Sequence, residues 1–149
     1  MKLVFDCYLA GGMHGRLGRD VLNERENARN ECKALGLKPY DPSEDELVKP
    51  NQIIDAKPNL KRMRWFVQKD FRNLDKCRSI VVLTGDKSSA GTAWEMARMY
   101  FKHKRPIILV APRMSDRMLV NFSTILATKI CATQHQAFKY LARRLKCRS

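Results

Sequence analysis

The stretch SIVVLTGDKSSAGTAWEMARMYFKHKRPIILVA (79–111) decides the fold, because it holds two apolar strands with a helix between them. SIVVLT (79–84) is a continuous β-branched run, which is typical of a central strand covered on both faces. A helix is predicted over about 91–103, and PIILVA (106–111) forms the next strand. This order predicts parallel neighbouring strands joined by a right-handed crossover.

The same alternation of strands and helices extends over the rest of the chain. Three more strands are predicted, at KLVFDCYL (2–9), LKPY (37–40) and TKICA (128–132), and four more helices, at about 18–35, 59–76, 116–126 and 134–146. Gly36 is placed as the stop of the first helix. DPSEDE (41–46) predicts an acidic turn, and the residues from there to Pro58 form a loop long enough for a lid. The sequence therefore predicts a single domain, 1–149, of the α/β class: a three-layer, Rossmann-like or flavodoxin-like parallel five-stranded sheet with helices on both faces.

The net charge of +14 is unusual, and it is unevenly distributed. Twelve Lys or Arg and one acid lie between Arg98 and Ser149, so that segment alone carries +11. A surface of this kind attracts small nucleotides and nucleic acids alike, and the plain alternative is a solvated cationic face. The charge alone does not separate a nucleotide ligand from a nucleic-acid partner of the basic C-terminal segment.

The cysteines and histidines indicate the compartment and the cofactor requirement. Five widely spaced cysteines without a CxxC pair favour reduced thiols in a cytoplasmic protein. None of the three histidines has a partner at metal-ligand spacing, so we expect no metal and no cofactor. No apolar run is long enough to span a bilayer, and MKLVFDCYLA (1–10) is too short and too acidic for a signal peptide, so we expect no membrane partner.

The segment SSAGTAWEMA (88–97) is a candidate anion site beside a carboxylate. Ser88 and Ser89 suit the N-cap of the following helix, and Gly91 lets the backbone approach an anion closely. Glu95 lies about one turn into that helix, where the helix dipole favours its ionised form. The alternative is a helix cap and a surface salt bridge.

A second candidate region, YLAGGMHGRLG (8–18), has four glycines directly after a strand. Gly11 and Gly12 allow the backbone to approach a ligand, and Tyr8 at the strand end can direct its phenol into the same crevice. In parallel sheets ligands bind beyond the carboxyl ends of the strands, where this loop and the loop after 79–84 meet. The alternative is an ordinary flexible turn.

A second carboxylate is expected from the helix at 59–76. If Val67 and Leu74 face the sheet, Asp70 lies at the edge of the buried stripe, while Asp75 lies near the helix end. Paired carboxylates from different elements are typical of glycosidic chemistry, in which one attacks carbon and the other handles the proton of the leaving group. The alternative is a solvated acid among neighbouring basic residues.

These residues resemble the nucleoside 2-deoxyribosyltransferase superfamily, including its branch of 2′-deoxynucleoside 5′-phosphate N-hydrolases. The similarity runs through VFDCYLAGGM (4–13) and KDFRNLDKCRSIVVLTGDKSSAGTAWEMARMYFKHKRPIILV (69–110). The resemblance implies that Glu95 is the nucleophile that attacks C1′, that Tyr8 orients it, and that Asp70 is the acid that assists departure of the base.

The resemblance also implies how substrate is bound. Ser89 would bind the 5′-phosphate, and Gly91 with the Gly11–Gly12 turn would give backbone contacts. Family members form dimers or larger oligomers whose neighbouring subunit completes the site. SDRMLVNFS (115–123) resembles that contributed segment, with Asn121 or Ser115 as its contacts.

The implied function is hydrolysis of the N-glycosidic bond of a (deoxy)nucleoside 5′-monophosphate through a glycosyl-enzyme intermediate. One alternative is a nucleoside 2-deoxyribosyltransferase that exchanges bases. Another is a non-catalytic basic module that binds nucleotides or nucleic acid on the same fold. A third is cleavage of a nicotinamide–ribose bond with the same glutamate, although the sequence offers no second phosphate loop for a dinucleotide.

Overall fold

The computed structural model describes residues 2–13, 15–45, 48–54, 60–83, 89–113 and 122–147. Its strands form one parallel sheet: β1 Cys7–Ala10, β2 Pro39–Tyr40, β3 Ile80–Val82, β4 Ile107–Val110 and β5 Lys129–Cys131. They lie in the order β2-β1-β3-β4-β5, so the direction in which the sheet grows reverses between β1 and β3. The predicted α/β class is confirmed, and the strand order is the flavodoxin-like one.

Within the described ranges, five α-helices connect or follow these strands: α1 Gly18–Ala34, α2 Leu60–Leu74, α3 Ala90–Ala97, α4 Phe122–Leu126 and α5 Gln134–Lys146. A short 3₁₀ helix, Pro42–Glu44, occupies the predicted acidic turn, and a π-helix, Arg98–His103, continues directly from α3. Gly36 follows α1 with a φ of 75°, as expected of a residue that ends a helix. Of the helix predicted over 116–126, the described part begins at Phe122.

The two faces of the sheet bury two separate cores. Cys7 and Leu9 of β1 pack in the core that α1 and α5 cover, whereas Tyr8 and Ala10 pack in the core that α2, α3 and α4 cover. This alternation follows from the two-residue period of a strand. It places the Tyr8 side chain in the same layer as the helix that carries Glu95.

The predicted buried stripe on α2 is only partly correct. Leu74 is fully buried and Phe71 packs against the core. Val67, however, is 45% exposed, and Trp65 is 50% exposed. Periodicity predicts which residues share a helix face, but it does not predict whether another element covers that face. The C-terminal end of α2 therefore anchors the helix on the sheet.

The helix predicted over 91–103 changes type at Arg98, where α-helical geometry gives way to the π-helix. The wider turn brings side chains at positions four and five residues apart to one side. Arg98, Lys102 and His103 all reach the carboxylate of Asp75 from there. Insertions of π geometry are rare and need such tertiary support, so no local sequence signal predicts this one.

Candidate active site

Tyr8 and Glu95 meet in a hydrogen bond between two different elements. The Tyr8 hydroxyl donates to Oε1 of Glu95 over 2.7 Å. Tyr8 is fully buried at the centre of the sheet, while Glu95 on α3 is half-buried. Burial and the charge of Glu95 raise the pKa of Tyr8 well above its ordinary value, so the phenol stays a donor across the physiological range.

Asp70 belongs to the same electrostatic neighbourhood. It is half-buried on α2, and its negative charge contributes, after burial and Glu95, to the raised pKa of Tyr8. The structure thus joins the phenol of β1 to the carboxylate of α3 by a hydrogen bond, and the charge of Asp70 on α2 acts on the same phenol.

The start of α3 is well defined by Ser89. Its hydroxyl caps the helix by accepting from the Thr92 backbone N–H over 3.2 Å, and it lies 3.1 Å from the Thr92 hydroxyl. Gly91 in the first turn is exposed, and among the described residues the nearest atom that a Cβ placed there would meet beyond the helix backbone is Ser89 Oγ, at 3.7 Å. The capping interpretation of Ser89 is therefore realised, and no described side chain crowds Gly91.

The glycine turn after β1 is held by Arg16, which precedes α1, and by Arg25 of α1. Gly11 has a φ of 150°, and Gly12 is buried with its carbonyl accepting from Arg16 over 3.0 Å. Arg25, only 1% exposed, donates to the carbonyls of Leu9 and Gly11 over 2.6 and 2.9 Å. The side chain of Arg25 thereby fixes the backbone on either side of Ala10.

Arg25 itself depends on a buried counter-charge. Asp41 lies 3.8 Å from Arg25 and is also bound by Arg29 and by the hydroxyl and backbone N–H of Ser43. Neither Arg25 nor Asp41 is among the site residues predicted from the sequence. A signal was present, since Arg25 interrupts an otherwise apolar stripe of α1 between Val21 and Ala28.

A second group behind Tyr8 was also missed. The Tyr40 ring lies 5.6 Å from that of Tyr8, and its hydroxyl donates to Asp45 over 2.7 Å while accepting from Asn73 over 2.9 Å. Lys69 completes the group through an ion pair with Asp45 at 2.9 Å. These contacts fix the ring against which Tyr8 packs.

Asp75, the acid predicted near the end of α2, is bound by several basic side chains. Arg98 donates to both of its carboxylate oxygens over 2.7 and 2.8 Å, Lys102 lies at 2.9 Å and His103 at 2.7 Å. These hydrogen bonds hold the pKa of Asp75 well below its usual range. An open groove of about 340 Å³ lies beside this cluster, lined by Phe71, Arg98 and neighbouring residues of α2.

Three predicted contacts, Ser88, Ser115 and Asn121, lie outside the described residues, as does His14 in the glycine turn. In the part of the chain that is described, no group of three or more His, Cys, Asp or Glu side chains is placed to hold a metal ion. None of the described helices is long and apolar enough to cross a membrane.

Comparison with known proteins adds a family and a structural relative. The family model for nucleoside 2-deoxyribosyltransferase matches residues 7–135. The fold is similar to that of a 2-deoxyribosyltransferase from the psychrotolerant bacterium Bacillus psychrosaccharolyticus, with 16% identity, a TM-score of 0.67 and 91% of each chain covered. No curated protein matches the sequence. The matched residues include β1 and α3, which carry Tyr8 and Glu95.

Proposed function

This chain belongs to the nucleoside 2-deoxyribosyltransferase family, and from that premise we propose that it hydrolyses the N-glycosidic bond of a (deoxy)nucleoside 5′-monophosphate. The chain is a nucleoside deoxyribosyltransferase-like enzyme. The observation that carries the proposal is the 2.7 Å hydrogen bond between Tyr8 and Glu95, with Asp70 close enough to perturb the same phenol.

In the proposed reaction Glu95 is the nucleophile. One of its carboxylate oxygens attacks C1′, the bond from C1′ to the base nitrogen breaks, and a glycosyl ester forms through an oxocarbenium-like transition state. Tyr8 keeps the carboxylate oriented throughout, since its raised pKa leaves it protonated. Water then cleaves the ester, releasing the sugar phosphate and restoring Glu95.

Asp70 is the proposed proton donor to the departing base. A purine or pyrimidine anion is a poor leaving group, so a proton or hydrogen bond supplied from the side opposite the nucleophile lowers the barrier. Asp70 suits this role because it is half-buried on a different helix from Glu95 and its charge acts on Tyr8, the partner of Glu95.

The 5′-phosphate is proposed to bind at the start of α3. Ser89 caps that helix and Gly91 leaves space there, so backbone N–H groups and the positive end of the dipole face a ligand. Ser88, Gly11 and Gly12 are proposed to complete the seat. Fixing the phosphate lets remote binding energy position the sugar over Glu95.

Base exchange remains the alternative reaction of the same site. It differs only in whether water or a second base takes the sugar from Glu95. Ser89 is a neutral hydroxyl at the position of the proposed phosphate contact, and the chain is strongly cationic. Both features favour a monophosphate substrate and hydrolysis.

We propose further that the enzyme is a homodimer whose neighbouring subunit completes the site through Asn121 or Ser115. Large apolar side chains are exposed on the helices of the layer that carries Glu95: Trp94 at 70% and Phe101 at 67% on the α3 and π-helix segment, and Ile125 at 66% on α4. Association of two copies would cover them. Mixing a Glu95→Ala protein with an Asn121→Ala, Ser115→Ala protein should restore activity if sites are shared, and a monomer in sedimentation would refute the dimer.

A cytoplasmic location is proposed on the state of the cysteines. All five thiols are unpaired, including Cys7 and Cys32, whose sulfur atoms lie 3.5 Å apart without a bond. A reducing compartment preserves such a pair. Recovery of the protein in an oxidising extracytoplasmic fraction would contradict this.

The function is tested with a panel of nucleosides and nucleoside 5′-monophosphates. Free base is followed by chromatography, with and without an added acceptor base. We expect release from monophosphates without an acceptor, and loss of release in Glu95→Ala but not in the matched control Glu26→Ala, an exposed acid on α1. Release that requires an acceptor would establish the transferase, and release undiminished by Glu95→Ala would end the proposal.

A further inference from the structure

The C-terminal helix presents a cationic surface on the side of the sheet away from Glu95. Phe138 and Leu141 are fully buried on the sheet, and the opposite side of α5 exposes Lys139, Arg143 and Lys146 at intervals of four and three residues. We call this stripe, together with Lys129 on the edge strand β5 and Arg144 next to it, the basic face.

The basic face lies in a segment of the chain that is rich in cations and poor in acids. Residues 129–147 contain these five Lys or Arg and no Asp or Glu. Among the described side chains, no carboxylate forms an ion pair with Lys139 or Arg143. Glu31 of α1 binds His135 in the first turn of α5 at 2.7 Å. The positive charge thus concentrates toward the end of the helix.

Tyr140 contacts two of the cations of the basic face, Lys129 and Arg144. Its ring lies 6.0 Å from the Lys129 ammonium, and its hydroxyl accepts from Arg144 over 2.9 Å. A tyrosine held in this way, and half-buried, is not an open platform for stacking bases. The face therefore offers charges at fixed positions rather than aromatic contacts.

From this arrangement we propose that the basic face binds the phosphate backbone of double-stranded nucleic acid without reading its base sequence. From Lys139 to Lys146 the stripe rises about 10 Å along the helix. A duplex carries one negative charge per about 1.7 Å of its axis, so several cations of the stripe meet phosphates at once. A bilayer surface fits less well, because the apolar side of α5 is already buried and leaves nothing to insert.

The binding surface and the proposed active site lie on different layers. α5 packs in the core with α1, whereas Glu95 belongs to the layer of α2, α3 and α4. The two activities are therefore separable by mutation, and duplex binding does not depend on whether the protein cleaves nucleotides.

The test measures fluorescence anisotropy of a labelled mixed-sequence duplex over a salt series. With four or five phosphate contacts, the plot of log K against log salt should have a slope of about −4. Lys139→Gln, Arg143→Gln should reduce the steepness by about two and weaken binding at low salt by at least about tenfold. The matched control is Arg64→Gln, Lys104→Gln, which removes one Arg and one Lys from exposed positions in the other layer.

Several outcomes decide the proposal. Full binding by the control and by Glu95→Ala supports it. Equal losses in the two double variants, or binding indifferent to salt, would overturn it, since the attraction would then not reside in the basic face. Tighter binding to a single strand of the same length, or to anionic phospholipid vesicles, would assign the surface to a different partner and contradict the duplex. Thermal melting of each variant shows that the fold is retained.

Discussion

Glu95 and Asp75 are two carboxylates of one helical layer that are held in opposite ways. Glu95 accepts a hydrogen bond from a neutral phenol, whereas Asp75 accepts from the guanidinium of Arg98 and lies against Lys102 and His103. Asp75 stays ionised because several basic groups bind it, and these ion pairs stabilise the folded state. The phenol holds the Glu95 carboxylate in a fixed orientation, and in the proposed mechanism that carboxylate stabilises the developing positive charge of an oxocarbenium-like transition state.

The largest effect on activity is expected from a substitution of Glu95. Glu95→Gln removes the proposed nucleophile while keeping an acceptor for Tyr8, so base release should fall at least about 1000-fold. The melting temperature should stay within a few degrees of that of the unmodified protein. Initial rates and a melting curve on the same preparation check both statements, and a large drop in melting temperature would make Glu95 a structural acid like Asp75.

A second change tests whether the glycine turn depends on the buried cation beneath it. Arg25→Met leaves the Leu9 and Gly11 carbonyls and Asp41 without this partner, and should cost about 3 kcal/mol of unfolding free energy. Arg25→Lys should cost less unfolding free energy than Arg25→Met and should retain more of kcat/KM. The exposed Arg19 on the same helix is the control, and Arg19→Met should fall within about 0.5 kcal/mol of the unmodified protein in urea titrations.

Asp75→Asn should lower stability and leave the chemistry of the folded enzyme intact. We expect a loss of about 2 to 3 kcal/mol at pH 7, because three basic groups would lose their shared counter-charge. The pKa of Asp75 is depressed in the folded protein, so its stabilisation is present above its unfolded value near 3.9 and is lost as pH falls below it. The unmodified protein should therefore lose stability more steeply between about pH 4 and 2 than Asp75→Asn, and equal slopes would contradict this.

The smallest effect is expected from Tyr8, which donates the hydrogen bond to Glu95. Tyr8→Phe keeps the ring packed on Tyr40 and removes only the donor to Glu95, so kcat should fall roughly 10- to 100-fold with little change in KM. Tyr100→Phe, at a half-exposed position on the π-helix, is the control. A rise in KM with kcat unchanged would move Tyr8 from orienting the nucleophile to binding substrate.

The sequence predicts the sheet well, because a buried parallel strand must be continuously apolar, as 79–84 and 106–111 are. It also predicts the elements that carry Tyr8, Asp70 and Glu95, since their order along the chain resembles a known family. Features that depend on contacts distant in sequence are less accessible. The π-helix needs Asp75, which lies 23 residues before Arg98.

Two other differences have similar physical causes. Arg25 is unexpected within an apolar stripe, because its partners are carbonyls 14 and 16 residues away rather than side chains near it in sequence. Val67 was expected to be buried from its spacing, yet it is exposed, since a periodic pattern does not reveal where a neighbouring element ends.

Detection of the covalent intermediate tests the central claim most directly. Protein quenched in acid during turnover of a nucleoside 5′-monophosphate is digested, and the peptides are weighed by mass spectrometry. The proposed mechanism predicts the added mass of one sugar phosphate on the peptide that contains Glu95, and its absence from Glu95→Gln. A sugar adduct on Asp70 or Asp75, or a burst of base release without any adduct on Glu95, would contradict it.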